Sequence, residues 1–174
     1  MGSPHSSYAV FDRRLDRRRW DHPGHETAIC DGISVFHDGD AEAGIFSWSQ
    51  GTNHDLLLTL YKFDGSYVSV SAGMPGEVSS GLTAATPISV TLDADATRPL
   101  ATYVRLKADL DGDQRNAVDL IVTERGRRVI KFKAGQLVLA DLSAANMWVD
   151  VIFSHPAVSE IAITRISIAA EQGE

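Results

Sequence analysis

Polar and apolar residues alternate along most of the chain from residue 25 onward. In the segment ISVTL, for example, Ile88, Val90 and Leu92 alternate with Ser89 and Thr91. A period of two is typical of a β-strand with one buried face, and most of these segments end at residues that are common in turns. The pattern predicts strands at 27–30, 33–37, 44–48, 56–63, 67–72, 88–92, 101–108, 118–123, 129–133, 137–142, 147–153 and 161–168.

The spacing of these strands predicts the fold class. A turn signal recurs about every 8–12 residues, which is typical of an all-β sandwich or barrel, and one wet face per strand favours antiparallel sheets. Helical periodicity is limited to PGEVSSGL, residues 75–82. The length of 174 residues suits one domain. We predict an all-β, antiparallel two-sheet β-sandwich of jelly-roll type at residues 26–170, preceded by a basic N-terminal arm at residues 1–25.

The inward-facing positions of these strands predict the core. In EIAITRISIAA the apolar phase slips between Ile163 and Ile166, so we expect a β-bulge at Thr164 and Arg165 that returns the later residues to the core. The residues expected to be buried are Leu58, Leu60, Val68, Val70, Val90, Leu92, Val104, Leu106, Phe132, Val151, Phe153, Ile163 and Ile166.

The segment YKFDGSYVSV, residues 61–70, interrupts a strand pattern at Phe-Asp-Gly and then resumes it. A two-residue turn would pair apolar with polar side chains on both faces. A three-residue loop at 63–65 would place Leu60 opposite Val68 and make one face wholly apolar, and a buried face selects the register. This interpretation predicts a β-hairpin with a positive φ at Gly65.

The predicted hairpin has a consequence on its polar face, where Tyr61 would lie opposite Tyr67. Two neighbouring rings there are either a ligand platform or packing beneath a loop. The segments ERGRR (124–128) and ADLDGDQRNA (108–117) are likewise interpreted as hairpin connections between consecutive strands.

Four segments together resemble a known family: VFHD (35–38), YKFDGSYVSV (61–70), RPLATYVRLK (98–107) and WVDVIF (148–153). They are similar to a family of bacterial proteins of unknown function, found mostly in alphaproteobacteria, over about residues 33–168. Members of that family carry a longer N-terminal segment where this chain has an arginine-rich one. The resemblance implies neither catalytic residues nor a ligand.

The distribution of charge bears on the partner. The formal net charge of −7 argues against nucleic acid, because phosphate binding needs a basic surface. After Trp20 there remain eleven Lys and Arg against twenty-one Asp and Glu, a net charge of −10. A basic arm on an acidic body is suited to contact an anionic surface or partner. Its arginines are Arg13, Arg14, Arg17, Arg18 and Arg19.

Targeting segments are not evident in the sequence. No apolar run reaches the ~20 residues of a transmembrane helix, and no signal-peptide core follows the arginines. We therefore expect no transmembrane segment and a cytoplasmic location. The single cysteine, Cys30, excludes an intramolecular disulfide and a cysteine-rich zinc site.

The acidic segment DLDGDQRN, residues 109–116, has some character of a calcium loop. However, its glycine comes two places early, and Leu120 stands where an EF-hand loop needs a bidentate acid. A polar hairpin loop is the favoured interpretation, and no metal site is predicted. The weak metal candidates are Asp109, Asp111 and Asp113.

A second group of metal-ligating residue types begins at HPGHE, with His22 and His25 followed by Glu26, Cys30 and His37. The proline and glycine within HPGHE indicate a loop. The spacing of its histidines also differs from that of the helical HExxH zinc motif. Signatures of a nucleophile elbow, a phosphate loop or a dinucleotide loop are missing from the sequence. We therefore predict no catalytic residue and no cofactor, and a hydrolase or lyase on a jelly-roll scaffold is only a third hypothesis.

Two hypotheses from different functional classes remain. The first is a non-catalytic binding module for glycan-like ligands, since sugars stack their C–H faces on aromatic rings and hydrogen-bond to polar side chains. The alternative is a protein-interaction or structural domain that docks a partner through its sheet face or its arginine-rich arm. The predicted ligand-binding residues are Tyr61, Tyr67, Tyr103, Arg105, Lys107 and Trp148.

Overall fold

The computed structural model describes residues 6–9, 19–40, 45–50, 56–158 and 160–171, and for 6–9 and 45–50 it describes the backbone. This part of the chain is almost entirely β-structure, with one short helix, α1 (Gly76–Ser79), and a 3₁₀ helix at Ala134–Leu137. The strands are β1 (Ser6–Ala9), β2 (Arg19–Asp21), β3 (Glu26–Cys30), β4 (Ile33–His37), β5 (Ile45–Gln50), β6 (Leu56–Tyr61), β7 (Tyr67–Gly73), β8 (Pro87–Ala96), β9 (Leu100–Leu110), β10 (Asp113–Thr123), β11 (Arg127–Lys133), β12 (Asn146–Ser154) and β13 (Glu160–Ala170).

The strands form two antiparallel sheets that pack as a β-sandwich, as the alternation predicts. A six-stranded sheet has the order β10-β9-β12-β7-β4-β3. A seven-stranded sheet has the order β11-β8-β13-β6-β5-β2, with β1 also paired to β13. Two strands from residues 1–25, β1 and β2, thus pair with the seven-stranded sheet.

The core lies between the two sheets and consists of their inward-facing side chains. All thirteen residues predicted to be buried are buried, with Val70 and Val104 at 0% exposure. The bulge predicted in the last strand is also present, because the pairing of β13 with β8 shifts between Ile163 and Arg165. Period-two alternation therefore identified the inner faces correctly.

The predicted hairpin at residues 61–70 is wrong. Strand β6 pairs with β5 and β13 in one sheet, whereas β7 pairs with β4 and β12 in the other. The segment 62–66 is therefore a crossover between the sheets. Leu60 and Val68 are both buried, but Leu60 pairs with Phe46 and Val68 with Phe153 and His37.

The glycine of this crossover is required for a different reason from the predicted one. A positive φ is found at Lys62 (50°) and not at Gly65. A Cβ atom at Gly65 would lie 2.6 Å from both the Oδ1 atom of Asp38 and the backbone nitrogen of Gly39. Gly65 therefore permits a close approach of two loops, which is the second common role of glycine.

Two other connections also differ from their predictions. ERGRR leads from β10 in the six-stranded sheet to β11 in the seven-stranded sheet, so it is also a crossover between the sheets rather than a hairpin, and its Gly126 has a φ of 85°. Residues 137–142 form no strand, since the 3₁₀ helix ends at Leu137 and Val138 adopts a left-handed φ of 49°. The β9–β10 hairpin is as predicted, with positive φ at Asp111 (52°) and Gly112 (90°), as a type I′ turn requires.

The 62–66 crossover is fastened to the end of β4 by a set of hydrogen bonds that we call the Asp38 clasp. The Asp38 carboxylate accepts hydrogen bonds from the Ser66 hydroxyl and from the Tyr67 backbone N–H, the latter at 2.9 Å. The Asp64 carboxylate accepts the backbone N–H of Asp40 at 2.9 Å. VFHD and the FDGS part of YKFDGSYVSV, two of the segments on which the family resemblance rests, thus contact each other.

Three rings, those of His25, His37 and Phe63, pack next to the residues of this clasp. His37 is buried, and its ring lies 6.0 Å from that of Phe63 and 5.1 Å from that of His25. His25 Nδ1 lies 3.0 Å from the carbonyl oxygen of His37, and His37 Nε2 lies 3.3 Å from that of Pro23. Burial lowers the pKa of His37, which favours the neutral imidazole at pH 7.

The buried inner face makes a testable prediction at Val70. Val70→Asp places a charge without a partner in the core, and we expect it to lower the free energy of unfolding by about 4 kcal/mol or more. Val129→Asp is the matched control, because Val129 is 54% exposed on β11 and should change stability by under ~0.5 kcal/mol. Urea denaturation measures both. Equal stability of the two variants would contradict the assigned inner face.

The Asp38 clasp predicts a pH dependence. Burial raises the pKa of Asp38, but the hydrogen bonds from Ser66 and Tyr67 outweigh it and hold the pKa below its ordinary value of 3.8. The carboxylate therefore stabilises the fold above about pH 4, and this stabilisation is lost as the pH falls through the lowered pKa. Asp38→Asn should cost about 1 kcal/mol at pH 7 in this exposed setting.

The measurement is urea denaturation of wild type and Asp38→Asn across pH 7 to 3. We expect the difference in unfolding free energy to shrink below about pH 4. Asp31→Asn, in the β3–β4 turn, is the control and should follow wild type at every pH. A difference between wild type and Asp38→Asn that stays constant with pH would contradict the role of the charge.

Candidate functional site

Three cross-strand pairs on the outer face of the six-stranded sheet bring the site together. On β9 and β12 the inward residues Val104 and Leu106 pair with Val151 and Val149. The residues between them must then face outward, because side chains alternate along a strand. The resulting outward pairs are Lys107 with Trp148, Arg105 with Asp150, and Tyr103 with Ile152.

A groove of about 470 Å³ lies on this outer face. Its depth follows from the neighbouring strand β7, whose outward residues there are the small Ser69, Ser71 and Gly73. Larger side chains stand beside them, Trp148, Asp150 and Ile152 on β12 and Phe36 on β4. The residues that line the groove are Phe36, Tyr67, Ser69, Ser71, Arg105, Lys107, Trp148, Asp150 and Ile152.

The floor of the groove contains an ion pair. The Arg105 Nε and Nη2 atoms both donate to Oδ2 of Asp150, at 3.0 and 2.8 Å. The Asp150 side chain is only 9% exposed and that of Arg105 is 36% exposed. Such a shielded carboxylate needs its partner, so this pair holds the middle of the groove in one geometry.

One end of the groove is formed by Trp148 and Lys107. The ammonium nitrogen of Lys107 lies 4.8 Å from the centroid of the Trp148 ring, which is within the range of a cation–π interaction. On its other side Trp148 pairs with Gly73, which has no side chain to cover the ring. The Trp148 side chain therefore remains partly exposed to a ligand.

The opposite end of the groove is formed by Tyr67 and Phe36, both half-buried. Tyr67 is the first residue of β7, and its backbone N–H is held by the Asp38 clasp. Because Tyr67 precedes Gly73 by six residues of extended chain, it lies about 20 Å along the sheet from the row of Trp148. The groove thus has an aromatic ring at each end and polar groups between.

Of the six residues predicted to bind a ligand, four line the groove: Tyr67, Arg105, Lys107 and Trp148. Tyr103 lies on the same sheet face beside Ile152 and is 38% exposed. Tyr61 lies at the end of β6 in the other sheet and is 56% exposed, so it is not a neighbour of Tyr67.

The weak metal candidates lie in the β9–β10 hairpin. The Asp109 carboxylate accepts hydrogen bonds from the Gly112 backbone N–H and from Gln114, and these lower its pKa. Asp113 forms an ion pair with Arg115 at 2.9 Å. Among the described residues, the structure contains no group of three or more His, Cys, Asp or Glu side chains arranged to hold a metal.

The arginine-rich segment is only partly described. Arg13, Arg14, Arg17 and Arg18 lie outside the described residues. Arg19 is exposed and forms an ion pair with Asp21 at 2.8 Å. In the described ranges, no helix is long and apolar enough to cross a membrane.

An exposed apolar stripe borders the groove on the edge strand β10. Val118, Leu120 and Val122 are 52%, 55% and 55% exposed, and Leu120 pairs with Tyr103. A docked protein partner, the alternative hypothesis, would use a surface of this kind.

Five of the nine groove residues were not predicted from the sequence, and the two that matter most for the shape and charge of the groove are Phe36 and Asp150. Both had a usable signal. Ile33 and Val35 point inward in ISVFH, which leaves Phe36 outward, and Asp150 is an acid within an otherwise apolar strand. Their convergence with Arg105 depends on the pairing of β12 with β9 and β7, which local patterns do not encode.

The ion pair in the groove predicts an unequal response to two arginine substitutions. Arg105→Met leaves the shielded Asp150 carboxylate without its partner, and we expect a loss of about 2–3 kcal/mol of unfolding free energy. Arg115→Met removes the exposed pair with Asp113 and should cost under ~0.5 kcal/mol. In a double-mutant cycle by urea denaturation, Asp150→Leu should recover part of the loss in Arg105→Met. Strictly additive effects would contradict the coupling.

Comparisons with known proteins agree with the sandwich. A solved structure described as the family 30 carbohydrate-binding module of a cellulosomal cellulase of Clostridium thermocellum matches with a TM-score of 0.54 and 12% identity, covering 97% of this chain and 99% of that one. A second, described as CBM4, matches with a TM-score of 0.51 and 12% identity, covering 92% of this chain and 96% of that one. Identities this low show a shared fold.

Comparisons of the sequence identify the family of the chain. A comparison with curated proteins found no match. The model of a family of unknown function, DUF6478, matches residues 8–172. The resemblance seen in the sequence to a family of unknown function is therefore confirmed, and the chain belongs to this family.

Proposed function

We propose that the groove on the six-stranded sheet binds a carbohydrate chain. The observation that carries this proposal is the lining of the groove, with Trp148 at one end, Tyr67 and Phe36 at the other, and hydroxyl and charged groups between them. Ligand sites are commonly concave, with aromatic walls and a few fixed polar groups.

The chemistry of the lining suits a sugar chain better than a compact apolar ligand. The C–H groups of a pyranose ring carry partial positive charge and are attracted to the negative face of an aromatic ring. Its hydroxyls donate and accept hydrogen bonds, for which Ser71 supplies a hydroxyl and Asp150 an acceptor oxygen not used by Arg105. Rings about 20 Å apart suit a chain of several sugars rather than a single one.

The fold is compatible with carbohydrate binding but does not by itself assign that function. The solved structure with the TM-score of 0.54 is described as a carbohydrate-binding module, so the same sandwich accommodates carbohydrate binding elsewhere. A fold hosts many functions, and the argument for this chain therefore rests on the groove.

Replacement of the groove aromatics tests the proposal. Trp148→Ala and Tyr67→Ala each remove a stacking surface, and we expect each to weaken glycan binding about tenfold or more. Tyr61→Ala is the matched control, because Tyr61 is more exposed but lies on the other sheet. The measurement is a glycan array that identifies a ligand, followed by calorimetric titration of wild type and variants. Circular dichroism checks that each variant is folded.

Other outcomes would favour other functions. Binding that is lost equally in Tyr61→Ala and Trp148→Ala would contradict the groove as the site. The absence of any glycan signal, together with self-association that Leu120→Ser abolishes, would instead support docking through the apolar stripe of β10. Shortening of the bound oligosaccharide over time would identify an enzyme.

A further inference from the structure

The charges of the groove differ from those of the chain. Three charged side chains line it, the positive Arg105 and Lys107 and the negative Asp150, which gives a local charge of +1 in a chain of formal charge −7. We propose that the groove selects acidic carbohydrates and that Lys107 pairs with the anionic group of the sugar. This inference rests on the proposed function and specifies its ligand class.

The two cations are held differently. Arg105 is neutralised by two hydrogen bonds to Asp150. Among the described side chains, none forms an ion pair with Lys107. The neighbouring outward acid on β9, Asp109, attracts Lys107 at longer range than an ion pair, and its carboxylate accepts hydrogen bonds from Gly112 and Gln114. Lys107 is therefore the cation that is available to a ligand.

The position of the Lys107 ammonium over the Trp148 ring explains why acidic sugars would bind more tightly than neutral ones. The ammonium lies 4.8 Å from the ring centroid, on a ring that a stacking sugar would use. A neutral sugar on that face displaces the ammonium and loses the cation–π interaction without replacement. A sugar with a carboxylate or sulfate instead takes up the displaced ammonium in a charge-assisted hydrogen bond. An acidic sugar thus replaces the favourable interaction of the Lys107 ammonium, whereas a neutral sugar only removes it.

The test compares pairs of ligands that share a sugar backbone and differ in the presence of an anionic group. Polygalacturonate is compared with its methyl-esterified form, and dextran sulfate with dextran, by calorimetric titration of the full chain. We expect wild type to bind at least one acidic member about tenfold or more tightly than its neutral partner. Raising the salt from about 0.02 to 0.5 M should weaken binding of the acidic member and change the neutral one little. The two pairs separate carboxylate from sulfate as the preferred anion.

Substitutions assign the selection to one residue. Lys107→Gln should bring the ratio of acidic to neutral affinity close to one, and Lys107→Arg should keep most of the preference. Lys62→Gln is the matched control, because the Lys62 ammonium also lies over an aromatic ring, 5.3 Å from the centroid of Tyr61, just after the end of β6 and outside the groove. It should leave the affinity ratio as in wild type.

The outcomes separate this inference from the proposed function. Equal binding of acidic and neutral members by wild type overturns the acidic preference and leaves carbohydrate binding intact. An acidic preference that persists in Lys107→Gln also overturns the inference, since the charge then acts elsewhere, for example at the arginine-rich segment. Binding of no glycan in either pair or on the array overturns both.

Discussion

The register of β12 against its neighbours is the constraint on which both the core and the groove depend. Val149 and Val151 are fully buried, so β12 can pair with β9 and β7 only in registers that keep these residues inward. Because side chains alternate, the same register sends Trp148 and Asp150 outward and opposite two basic residues of β9. A slip of one residue would bury an indole and a carboxylate and expose two valines. The free energy of core burial therefore also fixes the geometry of the groove.

The Asp38 clasp explains how the chain can leave one sheet and enter the next without loosening the groove. The crossover has no ladder partners of its own, so its backbone groups must be satisfied by side chains or solvent. Asp38 meets this need at Tyr67, where β7 begins, and the carbonyl oxygen of Ser66 accepts the backbone N–H of His155 at 2.6 Å. These contacts hold both β7 and the end of β12 at the place where a groove aromatic starts. Gly65 is required because any side chain there would collide with the carboxylate that makes the connection.

The sequence predicted the fold class, the inner faces, the bulge in β13 and the β9–β10 hairpin, all of which depend on neighbouring residues. It did not predict which strands pair across a connection. The register argument for residues 61–70 failed because it matched apolar Leu60 with apolar Val68, and a sandwich satisfies that match as well as a hairpin does, by facing the two residues across the core. The β9–β10 hairpin turns at Asp111 and Gly112, which both adopt the positive φ of a type I′ turn. FDGS contains the same Asp-Gly pair, but Asp64 and Gly65 do not adopt positive φ, so residue types alone do not distinguish the hairpin from the crossover. Four of the six predicted residues line the groove, because solvated faces are local properties, whereas the role of Asp150 depends on a partner 45 residues away in the sequence.

The cross-strand pairs Arg105–Asp150 and Lys107–Trp148 have different physical roles in the groove, and the difference follows from burial. In one row, Asp150 is shielded from water and requires Arg105, so these charges are committed to the structure and contribute little net charge to a ligand. In the next row, Lys107 faces an indole rather than a carboxylate, and an ammonium gains less from a ring than from an ion pair. An acid opposite Lys107 would have stabilised the apo protein and closed the groove to anions. Trp148 instead holds the Lys107 ammonium weakly enough for a ligand to take it up. A site for an acidic carbohydrate on an otherwise acidic protein needs such an available cation.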